Sequence, residues 1–199
     1  MNVLLENIAE EMTFLLLKNK IIKHEDSDIY IYGFQVMISS LMVTISLLTL
    51  GIALNKLLMT LVFMFVFVSL RINTGGYHAN RFRECLTLSL IIYLTEILLV
   101  KFIRHEYKGI VSITLLAFGT SVIFAKAPIE HKNNPLTPEE KVKYKKISRM
   151  ISSVASIVIL IGIFMKQDLI DYYLISSLTV MAVAILIIIP LLKRRERDD

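Results

Sequence analysis

The run LIDYYLISSLTVMAVAILIIIPLL at residues 169–192 is 24 residues long and contains a single charged side chain, Asp171. As an α-helix rising about 1.5 Å per residue, it is long enough to cross a bilayer core about 30 Å thick. The whole chain of 199 residues is 55% hydrophobic, with a mean hydropathy of +0.66. A soluble domain of this size does not need so much apolar material to fill its core. The composition therefore predicts an integral membrane protein.

Five further apolar runs precede this one, at residues 29–50, 54–70, 86–100, 110–125 and 147–165. Leu, Ile and Val fill them, and Gly and Pro are few, so the spans should be helices rather than barrel strands. Apolar residues at three- and four-residue spacing in residues 1–20 predict an amphipathic helix lying along the membrane surface. We therefore predict an all-α integral membrane protein of one domain. It would comprise an interfacial helix within residues 1–28, six transmembrane helices at 29–192 and a basic tail at 193–199.

Basic residues divide unequally between the two sides that six spans would create. Counted by segment, 17 of the 22 Lys and Arg residues fall on the side of the termini and 5 on the other side. Cytoplasmic loops carry the excess of Lys and Arg, which predicts that both termini are cytoplasmic. The residues near the N-terminus do not resemble a cleaved signal peptide, because Glu6, Glu10 and Glu11 interrupt the apolar pattern.

Two local patterns give more specific expectations. Thr137, Pro138 and Glu140 are typical of a helix start, with Thr as the N-cap and Glu completing a capping box. The fifth span should therefore begin in the cytoplasm, before its apolar run. Glu96, near the outer end of the third span, could be functional as an intramembrane carboxylate. We expect it instead to pair at the membrane interface with Lys101 or Arg104.

The segment RINTGGYHANRFREC at residues 71–85 places polar and reactive groups between two apolar runs. It contains Cys85, the only cysteine, and His78, and a histidine is the usual base that turns a thiol into a nucleophile. On a continuous helix the two residues would be about 10.5 Å apart along the axis, too far for a hydrogen bond. Gly75 and Gly76 would let the chain fold back. We therefore expect a loop or re-entrant turn carrying His78, then a helix that starts near Cys85.

The residues alone leave an inert buried thiol and a catalytic thiol both open. One cysteine and four scattered histidines show no metal-ligand spacing, and no phosphate-binding or dinucleotide fingerprint is present. We therefore expect no metal and no cofactor. The formal charge of +5 mainly reflects the orientation of the helices, so the lipid bilayer and not nucleic acid is the expected partner.

Residues 71–85 resemble the signature of the accessory gene regulator B family, and APIEHKNNPL at residues 127–136 resembles its second recurrent segment. The resemblance implies a cysteine endopeptidase in the bacterial cell membrane that takes part in peptide quorum sensing. Such an enzyme cleaves, on the cytoplasmic side, a short propeptide with an amphipathic leader and an acidic tail, and it helps close the signal into a thiolactone ring. The resemblance implies Cys85 as nucleophile, His78 as base and then acid, and a homodimer. It also implies supporting roles for Arg71, Gly75 and Gly76.

Lys141, Lys143, Lys145 and Lys146 are candidates for binding the acidic tail of the propeptide, although they could equally serve only to fix topology and to contact anionic lipid. Two other functions use the same features. In a peptide exporter or channel the polar segment would line a pathway and Cys85 would be incidental. In a thiol-dependent acyltransferase Cys85 would carry a fatty acyl group.

Overall fold

The computed structural model describes residues 2–75, 82–129 and 136–198, and every structural statement below refers to these residues. Their backbone forms seven α-helices joined by short connections, and side chains are described except at 2–5, 82–83 and 193–198. The helices are α1 (Asn2–Lys18), α2 (Ser27–Ala53), α3 (Leu57–Thr74), α4 (Phe82–Phe102), α5 (His105–Lys126), α6 (Pro138–Met165) and α7 (Ile170–Asp198).

Helices α2 to α7 are each long and apolar enough to cross a membrane, with 18 to 30 residues per span. The all-α fold with six candidate spans is therefore confirmed, and the six helices are consistent with a multi-pass membrane protein. Helix α3 runs to Thr74 and α4 begins at Phe82, so both include residues of the polar segment at 71–85. Helix α7 continues to Asp198, so residues 193–198 of the predicted basic tail are helical.

Helix α7 is the central helix of the bundle. Of its most apolar 18-residue window 61% is buried, whereas no other candidate span exceeds 28%. Helices α3, α4, α5 and α6 pack against it, and α2 packs against α3 and α4. Gly119 of α5 lets the backbones approach closely, because a Cβ there would lie 3.2 Å from the backbone of Met181 in α7. Small residues commonly permit such approaches between membrane helices.

The predicted N-terminal helix is present as α1 and packs along α2. Ala9 and Thr13 are buried between the two helices, whereas Phe14 and Leu15 are 64% and 56% exposed. A position along the membrane surface would cover these exposed apolar side chains. That location, like the orientation of the helices across the membrane, stays a prediction.

The predicted start of α6 is confirmed. Thr137 Oγ1 accepts a hydrogen bond from the Glu140 backbone N–H at 3.2 Å, and Glu140 Oε2 accepts one from the Thr137 N–H at 2.9 Å. This reciprocal arrangement is a capping box with Pro138 at the first helical position. It starts the helix about two turns before the apolar run.

The expected partner of Glu96 was wrong. Its side chain is only 3% exposed and turns into the bundle, where Oε2 lies 2.8 Å from Thr179 Oγ1 of α7. Arg104 instead forms an exposed ion pair with Glu106 at 3.0 Å. The sequence placed Glu96 within reach of basic residues on its own side of the membrane, but the rotation of α4 directs the carboxyl group towards the central helix.

Candidate functional site

The end of α3 is closed by a side chain of its own last turn. Arg71 Nη1 donates a hydrogen bond to the carbonyl oxygen of Gly75, and Thr74 Oγ1 lies 3.4 Å from the same oxygen. Gly75 caps the helix with a φ of +63°, in the left-handed region that favours glycine. Arg71 thus supports the backbone at the point where the polar segment leaves the helix.

Gly75 also meets the connection between α5 and α6. The backbone N–H of Ile129 donates to the carbonyl oxygen of Thr74 at 2.9 Å, and Gly75 and Ile129 form a parallel bridge. A Cβ at position 75 would overlap the carbonyl oxygen of Ile129, so the approach requires glycine. The segments at 71–85 and 127–136, far apart in sequence, are therefore in direct backbone contact.

Helix α6 reaches the same place through Ser148. This residue is fully buried, and its Oγ donates to the carbonyl oxygen of Asn73 at 2.8 Å. The sequence did not point to Ser148 or Ile129 as residues of the site. Ser148, Ser152 and Ser156 are spaced by four in α6, which is a recognisable pattern for a helix-packing face. The partner of Ile129 is a backbone group, and no side-chain pattern could have identified it.

Cys85 is the fourth residue of α4 and is partly buried. It lies close enough to Arg71 for an electrostatic interaction between the two side chains. The backbone carbonyl of Cys85 accepts a hydrogen bond from Ser89 Oγ at 3.0 Å. The first four N–H groups of an α-helix have no acceptor within the helix. Cys85 therefore lies in the first turn of α4, whose backbone N–H groups have no intrahelical acceptor, and near a cation at the end of α3.

The prediction of a helix starting near Cys85 is confirmed, since α4 begins three residues earlier at Phe82. Of the other candidate site residues, Arg71 and Gly75 are described and lie together at the end of α3. His78 and Gly76 lie outside the described residues. Their proximity to Cys85 stays a prediction.

The four candidate lysines are exposed on the first turns of α6 but do not share one face. At 100° per residue, Lys141 and Lys145 fall on the same side of the helix as the buried Ser148, which contacts α3. Lys143 and Lys146 fall on the opposite side. Lys145 is about 4.5 Å and Lys141 about 10.5 Å along the axis from the level of Ser148. Only Lys141 and Lys145 therefore lie on the side of α6 that faces α3, at increasing distance from its contact with α3.

A family profile described as accessory gene regulator B matches residues 9–190 of the chain. This chain belongs to that family. Its relatives include an AgrB-like protein 2 of Clostridium perfringens strain 13, which is 30% identical over 148 residues, covering 72% of this chain and 69% of the relative. An AgrB-like protein of C. perfringens strain SM101 is 28% identical over 172 residues, covering 83% and 80%. No solved structure matches the chain.

Membership confirms the resemblance drawn from residues 71–85 and 127–136. It supports a role in accessory gene regulator quorum-sensing peptide processing. In this AgrB family member, the two segments that carried the resemblance are those joined by Gly75 and Ile129.

Proposed function

We propose that this AgrB family member is a cysteine endopeptidase that cleaves a quorum-sensing propeptide and promotes closure of the signal peptide into a thiolactone. One observation carries the proposal: Cys85, in the first turn of α4, lies within electrostatic range of Arg71 at the end of α3. Burial disfavours the thiolate of Cys85, and the nearby cation of Arg71 and the helix N-terminus act against that cost.

In the first step His78 accepts the thiol proton and the sulfur of Cys85 attacks the carbonyl carbon that joins the signal to the tail. The carbonyl oxygen becomes an oxyanion, for which the backbone N–H groups in the first turn of α4 are suitable donors. The imidazolium of His78 then gives its proton to the departing amine. The C–N bond breaks, the tail leaves with a new amino terminus, and the signal remains as a thioester on Cys85.

In the second step the thiol of a cysteine within the propeptide attacks that thioester. The new C–S bond closes the ring as the bond to Cys85 breaks, so one thioester replaces another of similar energy and the enzyme thiol regains a proton. Water is the competing nucleophile. The partly buried position of Cys85 between helices reduces its access and favours ring closure over hydrolysis.

Arg71, Gly75 and Gly76 support this chemistry by setting the path of the chain between the two reacting side chains. Lys141 and Lys145 contribute to binding of the acidic tail, because they continue outward from the level at which α6 contacts α3. A tail leaving the site in extended form advances about 3.3 Å per residue, so its second and third residues would pass these lysines. The active form is a homodimer in the bacterial cell membrane, with the site on the cytoplasmic side.

The test is co-expression with the cognate propeptide, followed by mass spectrometry of the peptide and of the intact enzyme. Cys85→Ser and His78→Ala should leave the propeptide uncut. The matched control Thr87→Ala, at an exposed position on the same helix, should cleave normally. Wild-type enzyme trapped by acid should carry the mass of the signal segment on Cys85.

Three outcomes contradict the proposal. Full cleavage by both Cys85→Ser and His78→Ala excludes Cys85 and His78 as the catalytic pair. Secretion of unprocessed peptide that survives Cys85→Ser indicates an exporter. A fatty acyl adduct on Cys85 indicates an acyltransferase.

A further inference from the structure

Helix α4, which carries Cys85, makes two buried polar contacts with its neighbours. Tyr93 Oη lies 2.7 Å from Thr60 Oγ1 of α3, and Glu96 Oε2 lies 2.8 Å from Thr179 Oγ1 of α7. All four side chains are 3% exposed or less. None of them takes part in the proposed chemistry, and the charged form of Glu96 is costly to bury among apolar side chains.

The direction of these hydrogen bonds follows from the number of available hydrogens. A threonine hydroxyl has one hydrogen. Thr60 Oγ1 is also 3.0 Å from the carbonyl oxygen of Lys56, and Thr179 Oγ1 is also 2.8 Å from that of Ile175. A carbonyl oxygen can only accept, so donation by Thr179 to Glu96 would leave the contact of Thr179 with Ile175 without a hydrogen, and donation by Thr60 to Tyr93 would leave its contact with Lys56 without one. Both contacts of each threonine are satisfied when the partner on α4 is the donor.

Tyr93 can donate through its phenol, but Glu96 can donate only as a neutral carboxylic acid. The second oxygen of Glu96, Oε1, is buried and makes no hydrogen bond among the described residues. An unpaired carbonyl oxygen of a neutral acid costs much less in an apolar interior than an unpaired oxygen of a charged carboxylate. The donor requirement and the unpaired Oε1 therefore both favour the neutral carboxylic acid form of Glu96.

The two contacts lie on the face of α4 that also carries Cys85. At 100° per residue, Glu96 is about 20° from Cys85 around the helix, and Tyr93 is about 80° from it. A 40° rotation of α4 about its axis would move each Cα by about 1.6 Å, given a Cα radius of about 2.3 Å. A displacement of about 1 Å at a reacting group can reduce catalysis about a hundredfold.

We propose that Tyr93 and Glu96, with Glu96 in its neutral acid form, are positioning residues that fix the rotation and depth of α4 and so direct the sulfur of Cys85. The consequence for catalysis rests on the proposed function. The effect on the sulfur does not, because Cys85 is the only cysteine and a thiol reagent reports on it alone.

The experiment uses purified full-length protein in lipid nanodiscs. Three quantities are measured: the rate of Cys85 alkylation by a maleimide, the thermal unfolding midpoint, and kcat and KM for propeptide cleavage. Glu96→Gln keeps a neutral side chain with a donor and a carbonyl. Glu96→Leu removes both, and Thr179→Val removes the acceptor. Ser177→Ala is the matched control, since it removes a buried α7 hydroxyl that donates to the carbonyl oxygen of Tyr173 in its own helix at 2.9 Å.

Glu96→Gln and Ser177→Ala should stay within about twofold of wild type in every rate. Glu96→Leu and Thr179→Val should each lower kcat about 10- to 100-fold with KM little changed. Both should also alter the alkylation rate severalfold. Combining them should add little to either, because they remove the same contact. Tyr93→Phe should also alter the alkylation rate severalfold, because it removes the hydroxyl that contacts Thr60.

The inference is overturned if Glu96→Gln is as damaging as Glu96→Leu, since the charged carboxylate would then be required. It is also overturned if Thr179→Val changes neither the alkylation rate nor kcat. Should Glu96→Leu fail to fold, Thr179→Val and Tyr93→Phe decide the question because they preserve side-chain shape. If wild-type protein cleaves no propeptide but the alkylation pattern holds, the proposed function fails and the positioning role stands.

Discussion

Replacing Gly75 with alanine tests whether the junction of α3 with residues 127–129 maintains the site. The backbone at Gly75 has a φ of +63°, which costs a residue with a Cβ about 1–2 kcal/mol. The new Cβ would also overlap the carbonyl oxygen of Ile129 and push that segment away. The 2.9 Å hydrogen bond from the Ile129 N–H to Thr74 would then be lost, at a further cost of about 1 kcal/mol. The two costs together are about 2–3 kcal/mol.

This cost falls on a local contact and not on the helix bundle, so activity should change more than overall stability. If cleavage requires the joined arrangement, about 2–3 kcal/mol corresponds to about a 30- to 150-fold loss of kcat/KM, since about 1.4 kcal/mol is tenfold. This loss of kcat/KM is measured by assaying propeptide cleavage with the protein in nanodiscs. The matched control is Gly33→Ala in α2, where a Cβ would meet no described residue within 4 Å, and it should retain full activity.

A second substitution tests the hydrogen bond alone. Ile129→Pro removes the N–H donor while leaving Gly75 intact, and it should lose the hydrogen-bond part. Activity of Gly75→Ala within twofold of wild type would refute the view that this junction supports the site.

Two other predictions concern α6, namely its lysines and its capping box. Lys141→Glu combined with Lys145→Glu should raise KM for the propeptide about tenfold at low salt, and less at high salt, whereas Lys143→Glu with Lys146→Glu should leave KM nearly unchanged. Because both double variants reverse the same number of charges, equal effects on KM would refute tail binding by one face. Thr137→Ala should lower the stability of the start of α6 by about 1 kcal/mol, seen as a lower midpoint in thermal melts followed by circular dichroism, with cleavage unchanged at 25 °C. An unchanged midpoint would show that the capping box contributes nothing.

The sequence was sufficient to predict the helices but not their contacts. Length and apolar content determine whether a segment can cross a bilayer, and both are properties of the segment itself. The capping box of α6 was predictable for the same reason, because Thr137 and Glu140 are neighbours in sequence. Glu96 was assigned the wrong partner because its contact, Thr179, lies 83 residues away on another helix. Hydropathy gives the cost of burying a carboxyl group but not the group that will meet it.

In the candidate site, too, residue chemistry was predictable from the sequence and contacts between helices were not. The candidate residues Cys85 and His78 could be named from their chemistry, whereas the contacts that hold α3 and α4 could not. The bridge between Gly75 and Ile129 joins backbone groups, so residue types around Ile129 do not reveal it. The distinction between the two pairs of lysines follows from helical periodicity alone. Its relation to the site, however, requires the contact of Ser148 with Asn73.

The two ends of the segment at 71–85 are held by different parts of the bundle. The end of α3 is held by Arg71 within its own helix, by Ile129 from the connection after α5, and by Ser148 from α6. Helix α4 is instead held at Tyr93 and Glu96, about 12 and 16.5 Å along the helix from Cys85, by Thr60 of α3 and Thr179 of α7. The relative placement of the two ends therefore depends on the packing of α3, α4, α6 and α7 together. The proposed pairing of Cys85 with His78 would therefore depend on the assembled bundle.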